Sequence, residues 1–388
     1  MLEDIVTWAE IDLDAIAFNV RAFKRHVGER VQVFAVVKAN AYGHGAVPVA
    51  RAALEAGATR LAVHRAIEGV ELRRAGITAP ILVMGYTPPA PRAAEMIVHY
   101  DLTPSLITRE FAEVVSAEAI RAGKVIPLHV KVDTGMSRYG LMPDEVVDFC
   151  RALTSLPGVK LEGLFTHFAT ADSSDPTHAR RQLATFLDVI RAVAGAGIHV
   201  SLRHAANSAA MMRLPEAHLD AVRPGIAMYG MDPSDEWPPV FEIHPALAFK
   251  SRVSRVRVLP PGSGISYGRT FVTERERSVA LVPVGYGDGY HRVLSNKGSV
   301  LIRGQRAPIR GRVSMDQFVV DITGLQVVRQ DDEVVIIGRQ GGAEIRAEEV
   351  AQLAGTINYE VTTSLLPRVV RVYRRGGQVV GVTSLEEE

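Results

Sequence analysis

Apolar residues between positions 11 and 243 alternate between two patterns: short unbroken runs, and longer stretches in which they recur every three or four positions. The runs VQVFAVV at 31, LAVH at 61, ILVM at 81, LTPS at 102, IPLHVKV at 126, LEGLFTH at 161, VSLRH at 200 and DAVRP at 220 read as eight strands. Between them GAVPVARAALEAG, AIEGVELRRAG, the stretch from Ile107 to Arg121, DEVVDFCRALTSL and the stretch from His178 to Val193 carry the helical period, and several end at glycine. The opening segment has Asp12 or Asp14 as a cap, then Ile16, Val20, Phe23 and Val27 on one stripe. Strands alternating with helices imply parallel strands and crossover connections, and eight such units predict an α/β fold, a (β/α)8 TIM barrel. A doubly wound open sheet is the competing arrangement.

After His244 the pattern changes. LAFKSRVSRVRVL, SVALVPV, SVLIR, FVVDI, DEVVIIG and RVVRVY are strand-like segments separated by Gly, Pro and Asn turns, without long helices between them. The chain therefore divides into a barrel over 11–243 and a β-rich C-terminal domain over 244–388, the latter joined by an N-terminal strand at 1–10. The segment EWPPVFEIHP at 236–245 is the expected junction, and no fixed-period repeat or low-complexity tract is present.

Composition narrows the function classes. A chain of 388 residues that is 47% hydrophobic can fill two cores. Lys+Arg at 44 against Asp+Glu at 43 gives a net charge of +1, so no global field draws in nucleic acid or a membrane surface, and any charged ligand is held locally. Cys150 is the only cysteine, acids stand at positions 3 and 4 where a signal peptide carries bases, and no apolar run reaches membrane-spanning length. These features predict a cytoplasmic protein. Only 7 of the 44 basic residues are lysines, at 24, 38, 124, 131, 160, 250 and 297, so a lysine inside an apolar strand is informative.

In a barrel of this type the chemistry sits at the C-terminal strand ends, where loops surround an open mouth. The first strand ends on Lys38 in KANAYGHG, the fifth on Lys131 and Arg138 in KVDTGMSRYG, and the sixth on His167 in FTHFATAD. The seventh delivers His204, Asn207 and Ser208 in RHAANSAA; the eighth delivers Arg223 and Gly225 in RPGIAMYG. Asn207 or Ser208 at a helix start, with the Gly225-Ile226 backbone, occupies the usual barrel phosphate position. A partly desolvated lysine among other cations has a lowered pKa and attacks aldehydes. Pyridoxal phosphate supplies both an aldehyde and a phosphate.

Taken singly, each feature has a plainer explanation. A lysine at a strand end is usually a solvated charge, His167 could be a hydrogen-bonded structural histidine, and Asn207 and Ser208 could only cap a helix. DTG at 133–135 is not repeated, which argues against an aspartic protease, and the glycines of GSG at 262–264 and GYGDGY at 285–290 suit ordinary turns. The joint placement at one mouth is what distinguishes the set.

In order along the chain, AVVKANAYGHG, KVDTGMSRYG, GLFTHFATAD, NSAA, VRPGIAMYG, GISYGRTF, VPVGYGDGY, GRVSMDQ and INYEVTT resemble the bacterial alanine racemase family, over essentially the whole length. The resemblance implies an isomerase that interconverts L- and D-alanine, supplying D-alanine for peptidoglycan, as a head-to-tail homodimer with shared active sites. Lys38 would carry the cofactor as a Schiff base and act as one base, with Tyr267 of the other subunit as the opposite base. Two bases are required because inversion removes a proton on one face and delivers it on the other.

Further roles follow from the same resemblance. Tyr42, Asn207, Ser208, Gly225, Ile226 and Tyr359 would hold the phosphate end of the cofactor, and Arg138 its hydroxyl. The backbone at Met315 of the other subunit would help receive the substrate carboxylate with Arg138, while Tyr286, Asp172 and Arg292 would line the entry path. His167 and Arg223 would support Tyr267, and Arg223 at the pyridine nitrogen would weaken the electron sink and so suppress side reactions. Lys131, flanked by His129 and Asp133, would be carbamylated. No metal and no nucleic-acid or membrane partner is expected. Ser314, Ser137 and Tyr139 depart from the family pattern. Alternatives are a racemase of serine or of a broader range of amino acids, a pyridoxal-phosphate-binding protein without racemase activity, and a Schiff-base aldolase. The β-rich domain carrying Tyr267 argues against the last two.

Overall fold

The computed structural model describes residues 4–385; residues 1–3 of the N-terminal segment and 386–388 of the C-terminal span lie outside the described residues. The first strand, β1 (Thr7–Asp12), belongs to the sheet described below. The next eight are β2 (Gln32–Val36), β3 (Arg60–Val63), β4 (Ile81–Val83), β5 (Thr103–Leu106), β6 (Ile126–Lys131), β7 (Val159–Phe165), β8 (Leu202–His204) and β9 (Ala221–Val222). They pair in sequence order and close into a parallel barrel where Gln32 and Val33 meet Ala221 and Val222. All eight anticipated strands are present, and the open-sheet alternative is excluded by that closure.

Helices over Ala46–Glu55, Ala66–Arg74, Pro91–His99, Arg109–Arg121, Val146–Thr154 and Thr177–Gly195 connect the strands. The helix Pro91–His99 lay outside the sequence expectation; proline at its start suits a position whose N–H has no intrahelical partner. Asp12 is the cap of the opening helix Leu13–Val27, its Oδ1 accepting the Asp14 and Ala15 N–H groups at 2.9 and 3.0 Å. Ile16, Val20 and Phe23 on that helix are fully buried, as the apolar stripe requires.

The chain forms two compact units. The barrel unit comprises Ile16–Ala41 and Ala46–His244. The other takes the described residues up to Ala15, Tyr42–Gly45, and the described residues from Pro245 on. The short excursion Tyr42–Gly45 has a packing cause: a Cβ on Gly43 would collide with the Thr362 carbonyl, and one on Gly45 with the Tyr373 hydroxyl.

The second unit is built on an 11-stranded sheet. Its main path runs Arg255–Leu259, Arg277–Val282, Phe318–Asp321, Gln305–Arg310, Ser299–Ile302, Glu333–Gln340, Leu247–Arg252, β1, Val370–Arg375 and Gln378–Thr383. β1 is paired on both edges, antiparallel to Leu247–Arg252 and parallel to Val370–Arg375. Leu301, Ile302, Val334, Val335 and Ile336 form much of its fully buried interior.

Candidate functional site

At the end of β2 the backbone turns left-handed. Ala39, Asn40, Ala41 and Tyr42 all have φ between 51° and 55°, a region that costs residues other than glycine roughly 1 kcal/mol or more each. Three contacts secure the turn within the barrel unit. Glu68 accepts the Ala39 N–H at 2.6 Å, Ala41 N–H bonds back to the Val37 carbonyl at 2.9 Å, and the Asn40 side chain accepts the Ala46 N–H at 2.8 Å. The second oxygen of Glu68 takes the His64 and Arg65 N–H groups at 2.8 and 2.7 Å, tying the turn to the end of β3. Lys38 sits at the head of this strained segment.

Burial lowers the Lys38 pKa, the Arg138 charge lowers it further, and Glu68 works the other way. Lys131, at the end of β6, is also held down, to about 8, by burial and then by Arg223 and Arg138. Its Nζ lies 5.1 Å from the Tyr139 ring centre and 5.5 Å from that of Phe165. The neighbouring carboxylate of Asp133 is occupied elsewhere: it accepts the N–H groups of Gly135, Met136, Ser137 and Arg138, shaping the loop that carries Arg138.

His167 follows β7, and burial, then Arg223, Lys131, Arg138 and Lys38, keep it well below the usual histidine range. Its loop is pinned by the buried Gln182, which donates to the His167 carbonyl at 3.2 Å and accepts the Ala169 N–H at 2.9 Å. Arg223, 3% exposed, has no carboxylate beside it among the described residues. It donates to His204 Nδ1 at 2.6 Å and to the carbonyls of Thr166 and Ala205 at 2.7 and 3.0 Å, with His167 Nδ1 at 3.4 Å. Burial brings its pKa down to about 9, which leaves it cationic at neutral pH.

Across the last two barrel strands, Asn207 caps the helix Ser208–Arg213 by accepting the Ala210 N–H. Ser208 Oγ accepts the Gly225 and Ala227 N–H groups at 2.9 and 3.3 Å. A hydroxyl that accepts twice keeps one O–H to donate, and among the described residues no acceptor takes it. Ser208, Gly225 and Ile226 are all buried, so an anion bound there would be shielded from water.

The barrel unit thus holds Lys38, Lys131, Arg138, His167 and Arg223 within electrostatic reach of one another, and carries Asn207, Ser208, Gly225 and Ile226 together across its last two strands. Asp172 lies in the exposed loop after β7, its carbonyl accepting from Ser234 and Trp237. The remaining expected residues lie in the second unit. There the Tyr42 ring lies 6.1 Å from that of Tyr359, and burial raises the Tyr42 phenol pKa, so it stays a hydrogen-bond donor. Tyr267, Tyr286, Ser314 and Met315 line a cavity of about 780 Å³. Tyr267 is 74% exposed and is presented by a turn with Ser266 at φ 61° and Gly268 at φ 70°. The Met315 carbonyl accepts the Gly287 N–H at 2.7 Å, and Arg368 spans Asp288 and Asp316 at 2.7 and 2.8 Å. Arg292 is exposed, in a short turn at 292–294.

Sequence reasoning passed over Glu68, Gln182 and Glu162. A signal existed for Glu68 alone: it stands three residues after Arg65 at a helix start, where a carboxylate commonly reaches back to free N–H groups.

Two family models match: the alanine racemase N-terminal domain over residues 11–233 and the alanine racemase C-terminal domain over 246–373. An alanine racemase of Symbiobacterium thermophilum is 49% identical over 374 residues, covering 96% of this chain and 97% of that protein. One from Desulfovibrio desulfuricans is 46% identical over 370 residues, covering 95% and 98%. Among solved structures, alanine racemase from Bacillus anthracis with bound L-Ala-P superposes with a TM-score of 0.93 at 42% identity, covering 99% of this chain and 98% of the other.

Proposed function

This chain belongs to the alanine racemase family, and on that premise we propose that it interconverts L-alanine and D-alanine with pyridoxal phosphate, as a homodimer in which Tyr267 of a second copy faces Lys38. The observation that carries the reading is the setting of Lys38: an amine of lowered pKa, on a strained strand end, in one barrel unit with Arg138, Arg223 and the Ser208 to Ile226 cradle.

The residues fit the cofactor. Lys38 suits its aldehyde, the unclaimed Ser208 O–H with the Gly225-Ile226 backbone suits its phosphate, and Asn207, Tyr42 and Tyr359 would complete that end. When bound, the cofactor supplies an aldehyde for the lysine and a conjugated ring that takes up the electron pair left as the α-proton departs. The protein's own groups do the rest. Lys38 Nζ takes or returns the α-proton on one face, and its lowered pKa keeps a neutral amine available. Tyr267 of the second copy serves the opposite face, supported by His167, whose burial, and then its surrounding cations, keep its ring neutral. Arg138 and the backbone at Met315 of the second copy would receive the substrate carboxylate, and Tyr286, Asp172 and Arg292 would line the approach.

Lys131 would be carbamylated. A lysine with a pKa of about 8 presents a useful neutral fraction to carbon dioxide, and the resulting anion would sit among Arg138 and Arg223 instead of repelling them. We assign the enzyme to the cytoplasm and to D-alanine supply for peptidoglycan. In support, among the described residues no helix is long and apolar enough to cross a membrane, and Cys150 is buried and unpaired.

The test is loss of optical rotation by L-alanine, together with exchange of its α-proton for deuterium. Lys38→Ala is expected to abolish both, and Tyr267→Phe to leave exchange from one face with little inversion. Mixing the two variants should restore activity through hybrid dimers. Wild-type exchange without any inversion, or full activity in Tyr267→Phe, would refute the two-base reading.

A further inference from the structure

A polar chain runs through the barrel where branched apolar side chains normally fill the space. At the N-terminal strand ends, Arg60 of β3 grips Glu162 of β7 with two bonds of 2.8 and 2.9 Å. Glu162 Oε2 lies 3.1 Å from His129 Nε2 on β6, His129 Nδ1 lies 2.9 Å from His204 Nε2 on β8, and His204 Nδ1 meets Arg223 Nη1 at 2.6 Å. Both histidines are fully buried. His204 stacks on Phe165 at 4.9 Å and packs against Phe34 at 5.1 Å, surroundings that disfavour an imidazolium.

The geometry permits one direction of donation. Arg223 has no lone pair to offer, so His204 Nδ1 must accept and its proton must sit on Nε2. That proton points at His129 Nδ1, which accepts, leaving the His129 proton on Nε2 to be donated to the Glu162 carboxylate. A carboxylate is an acceptor only, and Arg60 holds it ionised: burial opposes the charge, but the His129 and Arg60 hydrogen bonds outweigh it and hold the pKa at about 2. Every link therefore points from the two guanidinium groups toward Glu162.

The backbone is shaped for this arrangement. The β6 to β7 register shifts between Leu128 and His129, so that Leu128 pairs with Leu161 but His129 with Gly163, which bulges Glu162 out of the ladder. At the next position a Cβ on Gly163 would come within 2.5 to 2.7 Å of the His129 ring. Only glycine leaves the imidazole its place.

We propose that Glu162, at the closed end of the barrel, is a positioning residue for the reaction at the mouth: it fixes the tautomers of His129 and His204, and thereby the orientation of Arg223. This rests on the racemase reading for its catalytic consequence, but the tautomers themselves do not depend on it.

Glu162→Gln offers a single carbonyl to two competitors. The charged, bidentate Arg60 takes the oxygen, and the amide NH2 turns toward His129 Nε2. His129 must then carry its proton on Nδ1, His204 follows, and a ring N–H is driven against Arg223 Nη1. Glu162→Asp keeps an ionised acceptor and is the conservative control.

Neutron diffraction from deuterated, cofactor-loaded crystals reads the protons directly. The expected wild-type result is deuterium on Nε2 and none on Nδ1 of both histidines, with the pattern reversed and Arg223 displaced in Glu162→Gln. Racemisation by Glu162→Gln should fall in kcat by about 10- to 100-fold, the scale of one mispaired buried donor, with KM within about threefold and Glu162→Asp largely restored. Deuterium on Nδ1 of His204 in the wild type, or unaltered tautomers and kcat in Glu162→Gln, overturns the proposal. If Glu162→Gln does not fold, the wild-type and Glu162→Asp protonation patterns still decide it. Absence of racemisation by the wild type would count against the proposed function alone.

Discussion

Lys131→Met separates two states of one buried group. In carbon-dioxide-free buffer Lys131 is a cation beside Arg138 and Arg223, and its pKa is depressed from 10.5 to about 8. That displacement is worth about 3 kcal/mol against the charged form at neutral pH. The unfolded chain binds the extra proton between pH 8 and 10.5, so folding stability rises with pH across that window; the penalty is fully present below about pH 8 and absent above about pH 10.5. Methionine removes the charge at similar volume and forfeits the contacts with Tyr139 and Phe165, which are worth about 1 kcal/mol together. The variant should therefore be more stable than wild type by about 2 kcal/mol at pH 7, and the advantage should shrink by pH 10. Adding bicarbonate should invert the order, because a carbamate anion would pair with Arg138 and Arg223 in wild type only. Urea denaturation at matched protein concentration, with and without bicarbonate, provides the measurement. A destabilised variant in carbon-dioxide-free buffer at pH 7 would refute the electrostatic reasoning; an unchanged order in bicarbonate would refute the carbamate.

Ser208→Ala leaves the buried Gly225 and Ala227 N–H groups without their acceptor and should weaken pyridoxal phosphate binding about 10- to 100-fold. Absorbance titration of the apoprotein should show affinity for pyridoxal, which lacks the phosphate, changed far less; equal losses for both would place the phosphate elsewhere. Glu68→Gln retains one of two accepting oxygens, so either the Ala39 N–H or the pair from His64 and Arg65 faces an NH2 group. The expected cost is about 1 kcal/mol, limited because water reaches Ala39. Loss of the carboxylate also removes a charge that raises the Lys38 pKa. The rate at which the apoprotein condenses with pyridoxal phosphate should then reach its plateau at a lower pH than in wild type, and a plateau shifted upward would contradict that assignment.

The strain at Lys38 and the polar chain below Arg223 serve the same end, in that neither group is free to drift. Four consecutive left-handed residues persist because Glu68, Val37, Asn40 and burial of Ala41 over-determine them. Arg223, with no carboxylate beside it among the described residues, reaches Glu162 through two imidazoles.

By itself the sequence determined the repeating units, since the two hydrophobic periods follow from backbone geometry that neighbouring residues share. It also placed Lys38, Lys131, His167, His204 and Arg223 at strand ends, because in a parallel barrel every strand leads to the same mouth. A helix cap at Asn207 or Ser208 was legible for the same local reason, and the structure selects Asn207. What the tertiary structure alone decided depends on residues distant along the chain. Whether the sheet closes is settled by Gln32 meeting Ala221, and the membership of Tyr42–Gly45 in the second unit by Thr362 and Tyr373. The partnership of Glu162 with His129 requires a register shift that no periodicity announces, since in strict alternation along LEGLFTH the glutamate is merely an outward-facing charge. A hydrogen bond between strands reports a register, and register belongs to the pair of strands, not to either one.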